Sequence, residues 1–486
     1  MHMSSYAVTV TDTPAIKNAP LIGLAEGNGS FNNFHLAGLV VVVPWVVKRF
    51  LPLFNRGGFK TYLFLALLLG VPVTMAYWTF MSTYGPRKNT KIQLPGRNIE
   101  EYITIHDEEL KAKYHGKERI PMQVFHDAYF EGKIDFNGDV LDIMEQRHDW
   151  AKFVFTLQLF KQVFFNLVPD VLFHERKQDE EQVRSTYDRG DDFYGWFLGP
   201  RMVYTSGIVS TLEEEETLEK LQDNKLTVVC EKLDLQPEDR VLDIGCGWGT
   251  LCAFVAKNYD CASVTGLTLA RNQAAFGNER IQKNGGDPAR HKILCADYRD
   301  MPGGKGAYTK IVSLEMAEHV GIRRYQAFLK MVYDLLEDDG VFLLQVAGLR
   351  PHWQYEDLIW GLFMNKYVFP GADASCSLGW VVGQVEAAGF EVKNIDVFGV
   401  HYSATIWRWY KNWVANKDQV VENYGDRWYR IWVFFLAYSV IIARHGGSSV
   451  FQLTLHKNLN AYPRILGQPS QRSLHPAPRR AIQPVE

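Results

Sequence analysis

Two groups of residues in this chain have types and spacings suited to chemistry. The first lies in Asp239 to Thr250, where a short apolar run, Arg240 to Ile244, leads into Gly245, Gly247 and Gly249 and then into a helical pattern. Alternate bare residues remove side chains where a ligand must approach backbone, and Asp243 sits near the carboxyl end of the run. The second group is Glu318, just beyond the apolar run Lys310 to Leu314, with Glu315 competing for the same role by position. A carboxylate there can face a positive charge.

The glycine spacing bears on the cofactor. A dinucleotide site wants Gly-x-Gly-x-x-Gly/Ala, with an acid roughly 20 residues further on to hold a ribose. Here the third glycine comes one position early, Thr250 stands in its place, and the region around Ser263 has no acid. S-adenosylmethionine, a nucleoside without a pyrophosphate, fits better than NAD or FAD. Its amino acid end can lie over the bare backbone, with Asp243 on the ammonium side.

The elements that must position these residues alternate. Strands are expected at Arg240–Ile244, Ala262–Thr268, Lys292–Ala296, Lys310–Leu314 and Val341–Val346, with helices to about Asn258, over Arg271–Asn284 and over Ile322–Leu336. That order implies an α/β fold, a Rossmann-like parallel sheet with crossovers. Ligands in such sheets bind beyond the carboxyl ends of the strands, a rule that selects Thr268, Asp297, Tyr298 and Glu318. Residues 353–387 and 401–443 read as aromatic-rich helical insertions, and Ile431–Ala443 is uncharged but too short to span a bilayer. Val450–His456 reads as a closing strand.

Before this domain, placed at residues 184–461, the chain changes character. Residues 1–35 are polar and expected to be disordered. Leu36–Val47, interrupted by Pro44, and the uncharged Thr61–Tyr84 read as two transmembrane or re-entrant helices within 36–86. Residues 87–183 read as a charged linker followed by an amphipathic extension, which could lie in a membrane interface or cap the core of the next domain. The Pro-rich tail 462–486 is expected to be disordered. A net charge of -3 gives no electrostatic case for nucleic acid. The 6 cysteines have neither metal-ligand spacing nor a dense disulfide pattern, which suits a reducing compartment and leaves no metal site.

Six ordered stretches, Ser185–Gly199, Met202–Gly207, Val241–Gly249, Gly266–Gln273, Asp297–Asp300 and Met316–Gly321, together resemble the cyclopropane-fatty-acid and mycolic-acid methyltransferase family. The resemblance covers roughly residues 184–457 and implies a class I methyltransferase sheet. Within that family, the apolar N-terminus and the segment Met122–Pro169 look like the fungal members that methylate a sphingoid base at carbon 9. By resemblance, Tyr204 and Thr205 contact S-adenosylmethionine, and Val241, Leu242, Asp243, Ile244, Gly245, Cys246, Gly247, Trp248 and Gly249 hold its methionine part. Thr268, Leu269, Ala270, Arg271, Asn272 and Gln273 serve its ribose, with Gln273 replacing the missing acid, and Tyr298 with Arg299 serves the adenine.

In that family a bound bicarbonate acts as the base, held by a Glu, a His, a Cys, a Tyr and backbone. Glu318 and Tyr402 match the Glu and the Tyr. Ser206 stands where the Cys is expected and Gln345 where the His is expected; both keep a hydrogen-bonding group but remove a titratable one, which leaves the bicarbonate an open question. The expectation is that Glu318 stabilises the cation formed when an alkene takes the methyl, while Gln345, Ser206 and Tyr402 shape the side where the proton leaves. The product follows from where that proton comes from: loss from the new methyl closes a cyclopropane, and loss from the chain gives a methyl-branched alkene. The resemblance therefore implies a membrane-bound enzyme at the endoplasmic reticulum, with a cytosolic catalytic domain and a sphingolipid substrate. The alternatives are a cyclopropane-forming enzyme on phospholipid acyl chains and an inactive lipid-binding membrane protein.

Overall fold

The computed structural model describes residues 13–17, 32–85, 94–167, 189–351, 354–372, 375–465 and 481–486. The chain forms two compact units, one built mainly from residues 20–169 with 352–363, the other from 10–19, 170–351 and 364–486.

In the first unit two apolar helices pair, α1 (Asn33–Phe50) and α2 (Phe59–Tyr84). Asn32 caps α1 by accepting from the Phe34 and His35 amides, and Gly58 precedes α2. Both helices are long and apolar enough to cross a bilayer, with mean hydropathy of 1.2 and 1.8 over their best windows. Their apolar side chains face outward: Phe34, Trp45, Phe64 and Leu67 are all more than half exposed.

Residues 94–120, expected as linker, are instead folded. Strand Ile103–Ile105 pairs antiparallel with Ile134–Phe136, and helix Glu108–Lys113 is capped by Asp107. The reason is one buried carboxylate: Asp149 accepts from the Gly96 and Arg97 amides at 2.9 and 2.8 Å and from the Tyr102 hydroxyl at 2.7 Å. The amphipathic extension makes a core within its own unit, with Phe125, Trp150, Phe153, Phe155 and Phe160 buried, while Leu157 and Phe165 stay exposed.

That core holds charge. Glu356 receives both the Arg147 guanidinium and His148 Nε2, the latter at 2.8 Å. Glu356 titrates well below the usual carboxylate range even though its burial acts the other way, because the Arg147 charge and the hydrogen bonds from Arg147 and His148 outweigh it. Removing one partner of a buried pair strands the other, at a cost of about 3–5 kcal/mol. Glu356→Ala is therefore expected to lower the denaturation free energy by that amount in chemical unfolding, and an unchanged midpoint would show the pair to be dispensable.

The second unit is built on a seven-stranded sheet. Its strands are β1 (Arg240–Ile244), β2 (Ser263–Thr268), β3 (His291–Cys295), β4 (Tyr308–Leu314), β5 (Leu336–Leu349), β6 (Phe390–Val397) and β7 (Ser448–Lys457). The spatial order is β3-β2-β1-β4-β5-β7-β6, with β7 antiparallel to both neighbours and the other pairs parallel. The order reverses between β1 and β4, so a crevice opens beyond their carboxyl ends. Helices connect the strands: α3 (Asp191–Leu198), α4 (Leu218–Leu233), α5 (Thr250–Asn258), α6 (Arg271–Lys283), α7 (Tyr325–Leu335), α8 (Gly399–Ala415) and α9 (Asp426–Arg444).

Apolar residues on both faces make β1 a central strand: Val241 joins the cluster under α4 and α5, and Leu242 and Ile244 the one under α7. Two expectations shift here. β5 begins five residues earlier than the apolar run, because Leu336 pairs with Tyr308. Strand β6 was not expected at all, since its partly polar Glu391–Asp396 alternates weakly; β7 supplies the pairing that holds it. The 13-residue run Ile431–Ala443 is a buried stretch of α9, as its length requires.

The expected disorder at the two ends fails where residues are described. Ala15 packs on Val209, Leu221 and Ala404, and the Arg408 guanidinium donates to its carbonyl. Val485 is fully buried against the α5 side of the sheet, and Lys257 and Asn258 donate to the Pro484 and Gln483 carbonyls. Residues 466–480 lie outside the described residues.

Candidate active site

The crevice beyond β1 and β4 is a cleft whose wall includes Tyr204, Thr205, Lys225, Asp243 to Trp248, Thr268, Leu269, Gln273, Tyr298, Arg299 and Glu315. Gly247 lies on that wall at φ 53°, and a Cβ added there would meet nothing within 4 Å, so the backbone is bare toward the cavity. The other glycines serve different ends. Gly245 (φ 81°) leaves room for the Met316 side chain, and Gly249 (φ 72°) lets α5 start against Gly277 of α6, 2.9 Å from where its own Cβ would be.

Polar groups on the wall and beside it are oriented by neighbours. The Thr268 hydroxyl donates to Gln273 Oε1 at 2.7 Å, and Trp248 Nε1 and Asn272 Nδ2 both donate to Asp191, at 2.7 and 3.0 Å. Arg299 is committed to Asp297 through two bonds of 2.7 and 2.6 Å, which leaves the Tyr298 ring facing the cavity with the guanidinium 5.1 Å from its centre. Lys225 is buried and donates to Thr205 at 2.6 Å. Burial pulls the Lys225 ammonium down and pushes the Asp243 carboxyl up, and the attraction between them offsets part of each.

The carboxylate that the structure brings into the cleft is Glu315. It sits immediately after β4 at φ 55°, a region that costs a residue with a side chain about 1–2 kcal/mol. Its Oε1 accepts from the Ser206 amide at 3.1 Å and from Gln345 Nε2 at 2.6 Å, and the Tyr402 hydroxyl bonds to the same carboxyl. Burial raises its pKa, opposed by those donors and by Lys225. Met202, at φ 50°, is a second strained residue on the same wall.

A row of buried groups stands behind Gln345. Asp396, Gln452 and Gln345 face one another across β6, β7 and β5, and Lys232 of α4 reaches down to them. Lysine can only donate, to Asp396 and to Gln452 Oε1 at 2.6 Å. The Gln452 amide nitrogen must then donate to Gln345 Oε1, at 2.8 Å, which turns the Gln345 amide nitrogen toward Glu315.

Glu318 goes elsewhere. Its side chain lines a second, smaller pocket with Ile322, Tyr325, Ala347, Cys376 and Val381, and is not part of the cleft wall. Oε1 accepts from the Ala347 amide, while Oε2 is buried without a hydrogen-bond partner among the described residues. Burial, reinforced by the charge of Glu315, pushes its pKa up to about 8, so near neutral pH Glu318 is a neutral acid. This has a consequence for stability. Below the ordinary value of 4.5 the carboxyl is neutral in both states; between 4.5 and about 8 only the unfolded chain ionises, so stability falls as pH rises. Glu318→Gln is expected to remove that slope, up to about 1.4 kcal/mol per pH unit. Melting curves from pH 5 to 8 check it: a gap between wild type and variant that does not widen with pH would refute the neutral acid.

Residues 174–453 match the family described as mycolic acid cyclopropane synthetase. A sphingolipid C9-methyltransferase 2 of Gibberella zeae is 56% identical over 475 residues, covering 98% of this chain and 90% of that protein. A sphingolipid C9-methyltransferase of Komagataella phaffii is 54% identical over 95% of this chain and 94% of its own length. The chain belongs to the sphingolipid C9-methyltransferases. Among solved structures, a mycolic acid cyclopropane synthase, CmaA1, complexed with SAH and CTAB, superposes with a TM-score of 0.53 at 29% identity, over 57% of this chain and 98% of that one.

As a sphingolipid C9-methyltransferase the chain is an S-adenosylmethionine-dependent enzyme, and its cleft fits that cofactor. The open backbone at Gly247 and the acidic Asp243 and Glu315 suit a zwitterion carrying a sulfonium. Of the residues that resemblance assigned to the cofactor, Tyr204, Thr205, Asp243 to Trp248, Thr268, Leu269, Gln273, Tyr298 and Arg299 stand on the wall. Val241 and Leu242 do not, because a central strand turns both into the core; Ala270, Arg271 and Asn272 fall outside the wall at the start of α6, and Gly249 packs on Gly277. Ser206, Gln345 and Tyr402 do converge, but on Glu315. Ser206 contributes its backbone amide, its hydroxyl being turned to the Gly207 carbonyl at 2.9 Å. Sequence reasoning missed Lys225 altogether, although a lysine amid Leu221, Leu226 and Val229 on a buried helix was the available signal.

Proposed function

We propose that this sphingolipid C9-methyltransferase adds a methyl group to carbon 9 of the sphingoid base of a ceramide or glucosylceramide, leaving a methyl-branched alkene. The observation that carries the reading is a carboxyl group, Glu315, held by hydrogen-bond donors on the wall of a cleft suited to a sulfonium donor. Bound S-adenosylmethionine supplies an electrophilic methyl on sulfur. The chain supplies the rest. Gly247 and its neighbours hold the amino acid end, Gln273 is aimed by Thr268 for the ribose, and Tyr298 offers a ring face to the adenine. Methylating an alkene leaves a carbocation next to the new bond, and the Glu315 carboxylate faces it. Tyr402, Gln345 and the Ser206 amide keep that carboxylate in place.

A lipid substrate explains α1 and α2. At about 1.5 Å per residue their 18 and 26 residues can reach through most or all of a hydrocarbon core of about 30 Å. Their exposed apolar faces support a membrane hairpin, at the endoplasmic reticulum with the catalytic unit on the cytosolic side, where the sulfonium donor is made available.

The test is incubation of the detergent-solubilised enzyme with glucosylceramide and methyl-labelled S-adenosylmethionine. A methyl-branched alkene and a cyclopropane have the same mass, so proton NMR of the isolated product decides between them. A vinylic signal beside the labelled methyl is expected. Ring protons would make the chain a cyclopropane synthase, and no labelled lipid would remove the reading.

A further inference from the structure

We infer that Glu315 is the enzyme's own proton acceptor and occupies the seat that a bicarbonate ion fills in cyclopropane-forming relatives, so that this chain neither binds nor needs the ion. The inference rests on the methyl transfer proposed above and concerns the step that follows it.

Three of the groups that resemblance assigned to an anion, at positions 206, 345 and 402, are present and do converge, but on a covalently attached anion. The Ser206 amide, the Gln345 amide nitrogen and the Tyr402 hydroxyl are all spent on the Glu315 carboxyl. The Ala347 amide, two residues beyond Gln345, is taken by Glu318. A bicarbonate would therefore meet a carboxylate instead of donors, and the residues do not fit it. The backbone agrees: Glu315 is held at φ 55°, where glycine would sit without strain, so the side chain is retained at a conformational cost.

The two side-chain changes are then of one piece. A histidine at 345 can be deprotonated and turn an acceptor toward an anion; the Gln345 amide, locked by Lys232 and Gln452, presents only N–H to Glu315. Ser206 needs no side-chain donor, since its amide does the holding. The step balances without a further reagent. The C–H bond at carbon 9 breaks, its electron pair closes the double bond to the cationic carbon, and the proton forms an O–H bond on Glu315, which later releases it to water.

The experiment uses the full chain in carbon-dioxide-free buffer, with sodium bicarbonate or sodium chloride added at equal ionic strength. Wild-type turnover is expected to be the same in both. Glu315→Gly is expected to lose about 10³-fold in chloride and to recover at least about 10-fold in bicarbonate. A second reading does not depend on turnover. Bicarbonate is expected to raise the melting temperature of ligand-free Glu315→Gly and to leave that of wild type unchanged, while calorimetry shows both binding S-adenosylhomocysteine alike. A wild-type enzyme that slows without bicarbonate, or a glycine variant that takes up none, would overturn the inference. If wild type methylates no sphingolipid in either buffer, the fault lies with the substrate reading, and the melting comparison still decides the seat.

Discussion

Glu315→Gln is expected to lower turnover by about 10³-fold or more while the affinity for S-adenosylhomocysteine stays within about threefold. The substitution keeps the shape of the side chain and removes its charge. An amide whose oxygen takes the place of Oε1 still accepts from both the Ser206 amide and Gln345 Nε2, and its nitrogen replaces the other oxygen. Rates of single turnover with saturating donor, beside calorimetric titration, separate the two effects. Turnover within tenfold of wild type would remove Glu315 from the reaction. The pH profile carries the same information with a defined sign. Burial raises the Glu315 pKa, so activity that needs its carboxylate must fall as pH drops through that raised value. The acid limb should therefore lie above the ordinary carboxylate range, and it should be absent from what activity Glu315→Gln retains.

The second large effect is structural. Gly249→Ala would put a methyl 2.9 Å from the Gly277 Cα and 2.2 Å from Ile293 Cδ1, at a residue whose φ of 72° already disfavours a side chain. Overpacking costs about 1–3 kcal/mol and the left-handed backbone about 1–2 more, so stability should fall by about 2–5 kcal/mol in urea titration. Gly247→Ala is the control. Its added carbon meets no protein atom, so only the backbone penalty applies to stability, and the loss should instead appear in cofactor affinity. Equal stability losses in the two variants would mean that the glycines are interchangeable turn residues.

The parts of this protein that were legible from sequence are those set by local pattern. The β1 run followed by the glycine turn identifies the sheet, the cleft and the class of donor, because spacing within one turn constrains what can lie on it. Ser206, Gln345 and Tyr402 stand out in the sequence, since each departs from or matches a motif; what they surround does not. Glu315 and Glu318 are three positions apart after the same strand, and only the left-handed backbone at 315 decides which of them faces the cleft. Strand β6 escaped for a different reason: an antiparallel strand paired through long-range partners needs no strong period of its own. Lys225 and Lys232 sit among apolar residues of a buried helix, a signal present in the sequence but not taken up.

The buried row behind Gln345 has a direction. Each amide in it is fixed by the one before, and the series begins with Asp396 on the edge strand and Lys232 of α4. No single member can be inverted, because flipping one amide sets two nitrogens against each other at one end and two oxygens at the other. Tuning this centre in the laboratory therefore requires concerted replacement of the string, and a swap at the rim strand alone will be transmitted inward as misalignment of the acceptor, with no shift of the main chain in between.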